Sequence, residues 1–299
     1  MGRLGRAAAS GGREPAVAGA GERLRRVLSV IVPASNEEAL IGRCLRALFG
    51  SDPAGVPVEA VVVANGCRDR TAAAAAELAG EAAAAGWGLT VLDLAQGGKP
   101  GALNAGDGAA RGEWRVYLDA DVVVSPGLMR ALVEVLGREG AAYASGTPVI
   151  PRPETAVTRA YARFWQRLPF ARSVAPGYGL FAVNAVGRAR WGAFPAIISD
   201  DTFVRMQFLP GERVQVGPTY DWPMIEGFAA LVRVRRRQDA GVAEIARLWP
   251  GLMDREGKAR LTLPDLAGLA LRDPVGFAVY GAVSLAVRLG RSRGWERGR

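Results

Sequence analysis

Histidine is absent from this chain of 299 residues, and cysteine occurs only as Cys44 and Cys67. Without an imidazole there is no Ser-His-Asp or Cys-His machinery, no His-ligated metal and no His base. Proton transfer must fall to Asp, Glu, Lys or Tyr. Two thiols make neither a disulfide framework nor a zinc site, and a reducing cytosol is the simpler setting. Long apolar runs are scarce as well. The longest, Val275–Leu289, has 15 residues, short of the roughly 20 that a bilayer requires. It reads as a core or interfacial helix, and Arg288, Arg291, Arg293 and Trp295 around it suit a membrane interface. No internal repeat is visible.

What is present is apolar and basic. Hydrophobic residues make up 49% of the chain, enough for the core of one large α/β domain with extensions. The net charge of +9 is uneven: residues 1–26 carry +4 and residues 231–299 carry +7, leaving −2 between them. A nucleic-acid module would concentrate its basic residues on the folded part, so no nucleic-acid partner is expected. Basic ends suit an anionic membrane surface or a pyrophosphate clamp, and equally a solvated Arg-rich surface. Residues 1–26, rich in Gly, Ala and Arg without an apolar run, read as a disordered basic tail rather than a signal peptide or a spanning helix.

Strands and helices alternate through the first half. Val27–Val32 is a continuous apolar run that ends at Pro33, as expected of a buried parallel strand. Ser35 and Glu38 have capping-box spacing ahead of a helix marked by Ile41, Leu45 and Leu48. Val58–Val63 is the next strand. Asp69 or Thr71 then caps an Ala-rich helix that ends at Gly86. Leu89–Leu94 and Trp114–Leu118 are the third and fourth strands, with a helix between them that runs to about Ala110. A further helix begins at Pro126. Four strands alternating with helices predict a parallel, right-handed βαβ sheet. The second half is less regular: a strand over Ala141–Ile150, helices over Glu154–Leu168, Thr202–Leu209 and Glu226–Arg237, and short helices over 242–249 and 261–271.

The chemistry gathers at strand ends, where ligands bind in open α/β sheets. Tyr117–Val122 reads YLDADV, so Asp119 and Asp121 follow a buried strand at a spacing that suits a hard divalent cation with positions left open for phosphate. Turn chemistry is the competing explanation. Gly98-Lys99-Pro100-Gly101 opens a helix and can present N–H groups and an ammonium to phosphate or ribose. Asp200 and Asp201 precede a helix; one of them could cap it, or Asp201 could act as a base with Asp200 raising its pKa by like charge.

Taken in order, VPASNEE, VVVANGCRDRT, GGKPGALNAG, YLDADV, PGYGLFAV and ISDDTFV resemble the family 2 glycosyltransferases of the GT-A fold, over about Val27 to Gly241. The resemblance implies a mixed, mostly parallel sheet with helices on both faces. It implies a nucleotide-diphosphate sugar donor, held by Pro33, Ala34, Asn36, Glu37, Asn65, Lys99, Asn104 and Asp119. It implies Mg²⁺ or Mn²⁺ on Asp121 and Asp119, and a hydroxyl acceptor bordered by Gly177, Tyr178 and Gly179. Asp201, next to Asp200, would be the base of an inverting displacement.

The chain also departs from the family pattern. Asn65 stands where the family carries an Asp that contacts the base, which leaves the base identity open. A Gln-x-x-Arg-Trp motif is missing; Arg236 and Arg237 lie in the comparable region and could hold a diphosphate or simply end a helix. Tyr178 and Trp191 could stack on sugar faces or belong to the core.

The expected organisation is a basic tail over 1–26, a GT-A domain over 27–240 and a helical basic extension over 241–299. The expected location is the cytoplasm, with peripheral contact at the inner face of the cell membrane as a separate expectation. Two alternatives stand beside this reading. One is a non-catalytic nucleotide-sugar-binding partner in a membrane glycan assembly. The other is a nucleotidyltransferase, which would need a Gly-rich loop after the first strand where VPASNEE has none.

Overall fold

Consecutive residues of the first strand are buried on opposite faces: Val30 and Val32 in one core, Ile31 in the other. That is the period of a sheet covered on both sides. The structure, a computed structural model, describes residues 26–257 and 261–290. The tail expected over 1–26 therefore lies, apart from Arg26, outside the described residues, as do Arg291, Arg293 and Trp295. Strands β1 (Leu28–Ala34), β2 (Val58–Asn65), β3 (Trp87–Leu94) and β4 (Trp114–Leu118) pair in parallel, as the apolar runs predict. Beyond β4 come β5 (Val123–Val124), β6 (Tyr143–Val149), β7 (Leu180–Val183) and β8 (Arg213–Asp221). β7 runs antiparallel to β4 and β6, and one mixed sheet results, ordered β3-β2-β1-β4-β7-β6-β8-β5.

Strand order reverses at β1, which has β2 on one side and β4 on the other. The crevice at such a switch point opens at the carboxyl ends of the strands. Helices α1 (Glu38–Phe49), α2 (Thr71–Ala76), α3 (Ala79–Ala84) and α5 (Leu128–Leu136) pack on one face through Ile41, Leu45, Ala75, Ala82, Leu128 and Leu132. The other face is covered by α4 (Lys99–Ala109) and α8 (Asp200–Arg205), with Leu103, Phe203 and Val204 set against Ile31, Val61 and Phe181. Each fully buried Leu, Ile or Phe contributes about 1.5–3 kcal/mol against exposure. A third, smaller cluster joins α6 (Ala156–Trp165), α9 (Phe228–Leu248) and α11 (Pro274–Leu289) through Tyr161, Leu231, Val232 and Val283. A four-residue helix α7 (Ala185–Arg188) and α10 (Leu263–Arg272) complete the described helices. None of them is long and apolar enough to cross a membrane.

Several expectations are corrected. Ser35 and Glu38 form no capping box, because α1 starts at Glu38 and its first N–H groups are met from the next loop. Glu37 N–H donates to Thr71 Oγ1 at 2.8 Å and Glu38 N–H to Asp69 Oδ2 at 3.1 Å. The Ala-rich helix is broken into α2 and α3. The helices expected over Glu226–Arg237 and 242–249 are one continuous α9, since Gly241 stays helical and lets α9 close on Ile198 and Ser199. The helix expected over Thr202–Leu209 begins two residues earlier and ends at Arg205. β8 went unread because Gly217-Pro218 looks like a turn; a register shift opposite it, between Ser145 and Thr147, accommodates the irregularity.

Candidate active site

Four side chains meet at the carboxyl ends of β1 and β4. Lys99, the first residue of α4, places Nζ 2.8 Å from Asp119 Oδ1 and 3.2 Å from Asp200 Oδ2. Asp119 leaves β4 with its own N–H donated to Gly179 O at 2.8 Å, which fixes the β4 end against the loop before β7. Asp200 and Asp201 open α8, and Asp201 Oδ1 accepts from Thr202 N–H at 2.6 Å. Lys99, Asp119, Asp200 and Asp201 line one small cleft together with Pro33, Gly177 and Gly179. The sequence-predicted residues from five separate motifs are thus brought together.

Negative charge dominates this cleft. Burial, then Asp200, pushes the Asp201 carboxyl up to about 6. Asp121 is likewise raised to about 6 by burial and Asp119, and Glu37 to about 7 by burial, Asp121 and Asp119. Burial alone would lower Lys99, but Asp119, Asp200 and Asp201 hold it well above its ordinary value, so it stays a cation. Asp119 and Asp121 offer the oxygen donors a hard cation prefers. Among the described residues no three His, Cys, Asp or Glu side chains form a group able to hold a metal ion. A cation at this place would therefore draw on two protein carboxylates and complete its shell from ligand oxygens and water.

Other expected residues do different work. Asn65 is buried and both ends of its amide are taken: Nδ2 donates to Ala34 O at 2.8 Å, and Oδ1 accepts from Gly98 N–H at 3.0 Å. Asn65 thereby clamps the Lys99 turn onto β1. Gly66 supports the same clamp, with φ of 60° and a Cβ position only 2.7 Å from Gly97 backbone. Asn104 likewise spends its amide on the Phe194 backbone, accepting from N–H at 2.7 Å and donating to O at 3.0 Å. It steadies the loop that leads to Asp200. Asn36, at φ 58°, accepts from Arg68 N–H at 2.9 Å.

Arg236, expected as a diphosphate clamp, instead donates Nη2 to Ala286 O at 2.5 Å, at the end of α11. Arg237 is exposed on α9, and no described contact brings either arginine to the acid cleft. Trp191 is buried beneath the Arg188 guanidinium, 4.6 Å from its ring centroid, and has no free face for a sugar. Tyr178 lies between Gly177 and Gly179 and stacks on Trp222 at 5.1 Å, with Trp165 at 5.6 Å. Glu244 was missed from the sequence: its Oε2 accepts from Ile198 N–H at 3.0 Å and holds the segment ahead of Asp200. Its partner is 46 residues away, so no local pattern could have found it.

Residues 29–189 match the family model described as Glycosyl transferase family 2. Over 117 residues the chain is 35% identical to the succinoglycan biosynthesis protein ExoO of Rhizobium meliloti (strain 1021), a match covering 39% of this chain and 32% of that protein. The chain spans about a third of the length of this curated relative. Among solved structures, the mannosyltransferase PcManGT from Pyrobaculum calidifontis, in complex with GDP-Man and Mn²⁺, superposes with a TM-score of 0.56 at 22% identity, over 89% of this chain and 76% of that one. S. aureus TarS 1-349, in complex with UDP-GlcNAc, gives 0.52 at 16% identity, over 87% of this chain and 81% of the other. These structural likenesses bear on the fold. The sequence match extends over more than half of the chain, and with the sheet order it places the protein in glycosyl transferase family 2, on a GT-A fold.

Proposed function

We propose that the chain moves a sugar from a nucleotide-diphosphate donor to a hydroxyl acceptor with inversion, using Asp201 as base. The observation that carries this reading is the convergence of Lys99, Asp119 and the Asp200–Asp201 pair in one cleft at the switch point. In the step itself, Asp201 takes the acceptor hydroxyl proton as its oxygen bonds to the anomeric carbon. The bond from that carbon to the diphosphate oxygen breaks, and the nucleoside diphosphate leaves with the electron pair. A single carboxylate suffices for one direct displacement, and with no histidine in the chain a carboxylate is the natural base.

Asp121 and Asp119 are the residues that would hold Mg²⁺ or Mn²⁺, which when bound neutralises charge on the departing diphosphate. Lys99, already cationic beside Asp119, faces the same diphosphate. Glu37 and Asn36 at the end of β1, with the Pro33 and Ala34 backbone beneath, border the nucleoside. Gly177, Tyr178 and Gly179 border the acceptor: a Cβ at Gly179 would lie 2.8 Å from Trp222 and Val122, so only glycine keeps that approach open. The outward apolar faces of α10 and α11 would rest on the inner face of the cell membrane, with the GT-A unit ending before the C-terminal helices.

Calorimetry with UDP-, GDP- and dTDP-sugars, with and without Mn²⁺, tests the donor site. Metal-dependent binding of one nucleotide, abolished by Asp121→Ala, is expected. A folded wild-type chain that binds no member of the panel would refute a nucleotide-sugar donor.

A further inference from the structure

Arg159, Arg163 and Arg167 recur every fourth residue along α6 and its last turn, which sets them on one helix face. Together with Ile150, Pro153 and Gln166 they line an open groove of about 550 Å³. One carboxylate, Asp273, is ion-paired there: Arg163 Nε and Nη2 donate to it at 2.7 and 2.8 Å, and Arg167 Nη1 at 3.3 Å. Arg159 is held by the carbonyls of Pro153 and Glu154. Glu226, the next acid along, is turned to the Glu154 and Thr155 N–H groups. Arg159, Arg163 and Arg167 line the groove and no carboxylate does, which leaves it positively charged.

The groove also has a position. Trp165, between Arg163 and Arg167, packs on Tyr178 and Trp222 at 5.6 and 5.8 Å. Tyr178 sits between the two glycines that line the acid cleft. Arginine forks match phosphate oxygens bidentately, and the ion pairs with Asp273 hold two of the three in place before any ligand arrives.

We propose that this groove binds a phosphate group through the guanidinium forks of Arg159, Arg163 and Arg167.

The test uses the full chain in EDTA, without nucleotide. Inorganic phosphate is titrated by calorimetry, and phosphatidylcholine vesicles doped with phosphatidic acid are compared with vesicles doped with phosphatidylglycerol at matched charge. The wild type is expected to bind free phosphate, to prefer phosphatidic acid, or both. Free phosphate binding assigns a soluble phosphorylated ligand, and preference for phosphatidic acid a lipid-borne one. Arg159→Gln with Arg167→Gln should weaken that binding about tenfold or more, while Mn²⁺-dependent nucleotide binding is unchanged. Equal binding by wild type and a folded double variant overturns the proposal, as does a wild type that responds to neither probe. If the Gln pair does not fold, Arg159→Lys with Arg167→Lys keeps the charge on Asp273 but loses the forks. A similar loss is expected there, and wild-type affinity would again overturn it. Loss of nucleotide binding in the wild type would strike at the donor reading and leave the phosphate result standing.

Discussion

Lys99 Nζ lies 2.8 Å from Asp119 Oδ1 and so ties the start of α4 to the end of β4. The same ammonium reaches Asp200 at 3.2 Å, making it the counter-charge of the acid cleft. Lys99→Met should therefore destabilise the chain by about 1 kcal/mol, discounted because Lys99 and Asp119 are each about a third exposed. The cost should be larger at pH 8 than at pH 5, because Asp121 and Asp201, raised to about 6, are largely neutral at the lower pH. Mn²⁺ should recover part of the loss at pH 8. Thermal melts of both proteins at the two pH values, with and without Mn²⁺, read this; a loss independent of pH would remove Lys99 from the role of counter-charge.

Asp201→Asn separates chemistry from binding. A base must be ionised to accept a proton, and Asp201 titrates at about 6 because of burial and Asp200. Log kcat/KM should then rise with unit slope below about pH 6 and level off above it. The Asn variant should lose at least about a hundredfold in kcat while keeping donor affinity. Stability should move the other way. A raised carboxylate pKa means that the native state holds the proton longer than the unfolded chain, so this group's contribution to stability falls as pH rises toward 6. The variant should melt no lower than wild type at pH 8. Unchanged turnover in Asp201→Asn would remove the residue from the mechanism.

The parts of this fold legible in the sequence are those with short-range signals. Trp114–Leu118 was bounded correctly because aromatic and β-branched residues stop at Asp119, and the four parallel strands follow from runs that are apolar on both faces. The convergence of Lys99, Asp119 and Asp200 could be anticipated because each follows a strand or opens a helix on the same side of the sheet. The contacts of the two amides were not legible because their partners are distant: Asn65 reaches Ala34 across 31 residues and Asn104 reaches Phe194 across 90. A polar side chain in a donor motif looks the same in sequence whether it faces a ligand or a buried carbonyl. The contact of Arg236 was hidden for a similar reason, since the α11 carbonyl that accepts from it lies 50 residues on.

Asp273 joins α6 to α11 twice, as the ion-pair partner of Arg163 and Arg167 and as the N-cap whose Oδ1 accepts from Gly276 N–H at 3.0 Å. Arg163 holds its carboxyl down at about 2. A depressed carboxylate contributes stability that is fully present above the unfolded value near 4 and is lost as pH falls through about 2. Asp273→Asn keeps an oxygen for the cap but loses the charge, and should cost about 1–2 kcal/mol at pH 7, discounted for the exposed arginines. Asp273→Ala should cost about 1 kcal/mol more through the lost cap. The melting curves of wild type and Asp273→Asn should converge toward pH 2; a constant gap would assign the effect to packing instead.

The outward side of the C-terminal helices calls for a partner. On α10, Leu263 and Leu271 are 83% and 85% exposed; on α11, Val275, Leu285 and Leu289 are 61%, 57% and 74% exposed. Apolar residues at helical spacing in open water mark a contact surface. α11 has 16 residues, about 24 Å of helix at 1.5 Å per residue, which cannot cross a bilayer but can lie in its surface. With +7 over residues 231–299, the matching surface is an anionic one. The wild type should sediment with phosphatidylglycerol vesicles and far less with phosphatidylcholine, and salt should weaken the binding by screening. Leu271→Glu with Leu285→Glu should release the protein without lowering its melting temperature, because neither side chain is buried in the fold. If the double variant sediments like wild type, the basic residues act alone and these helices face something other than lipid.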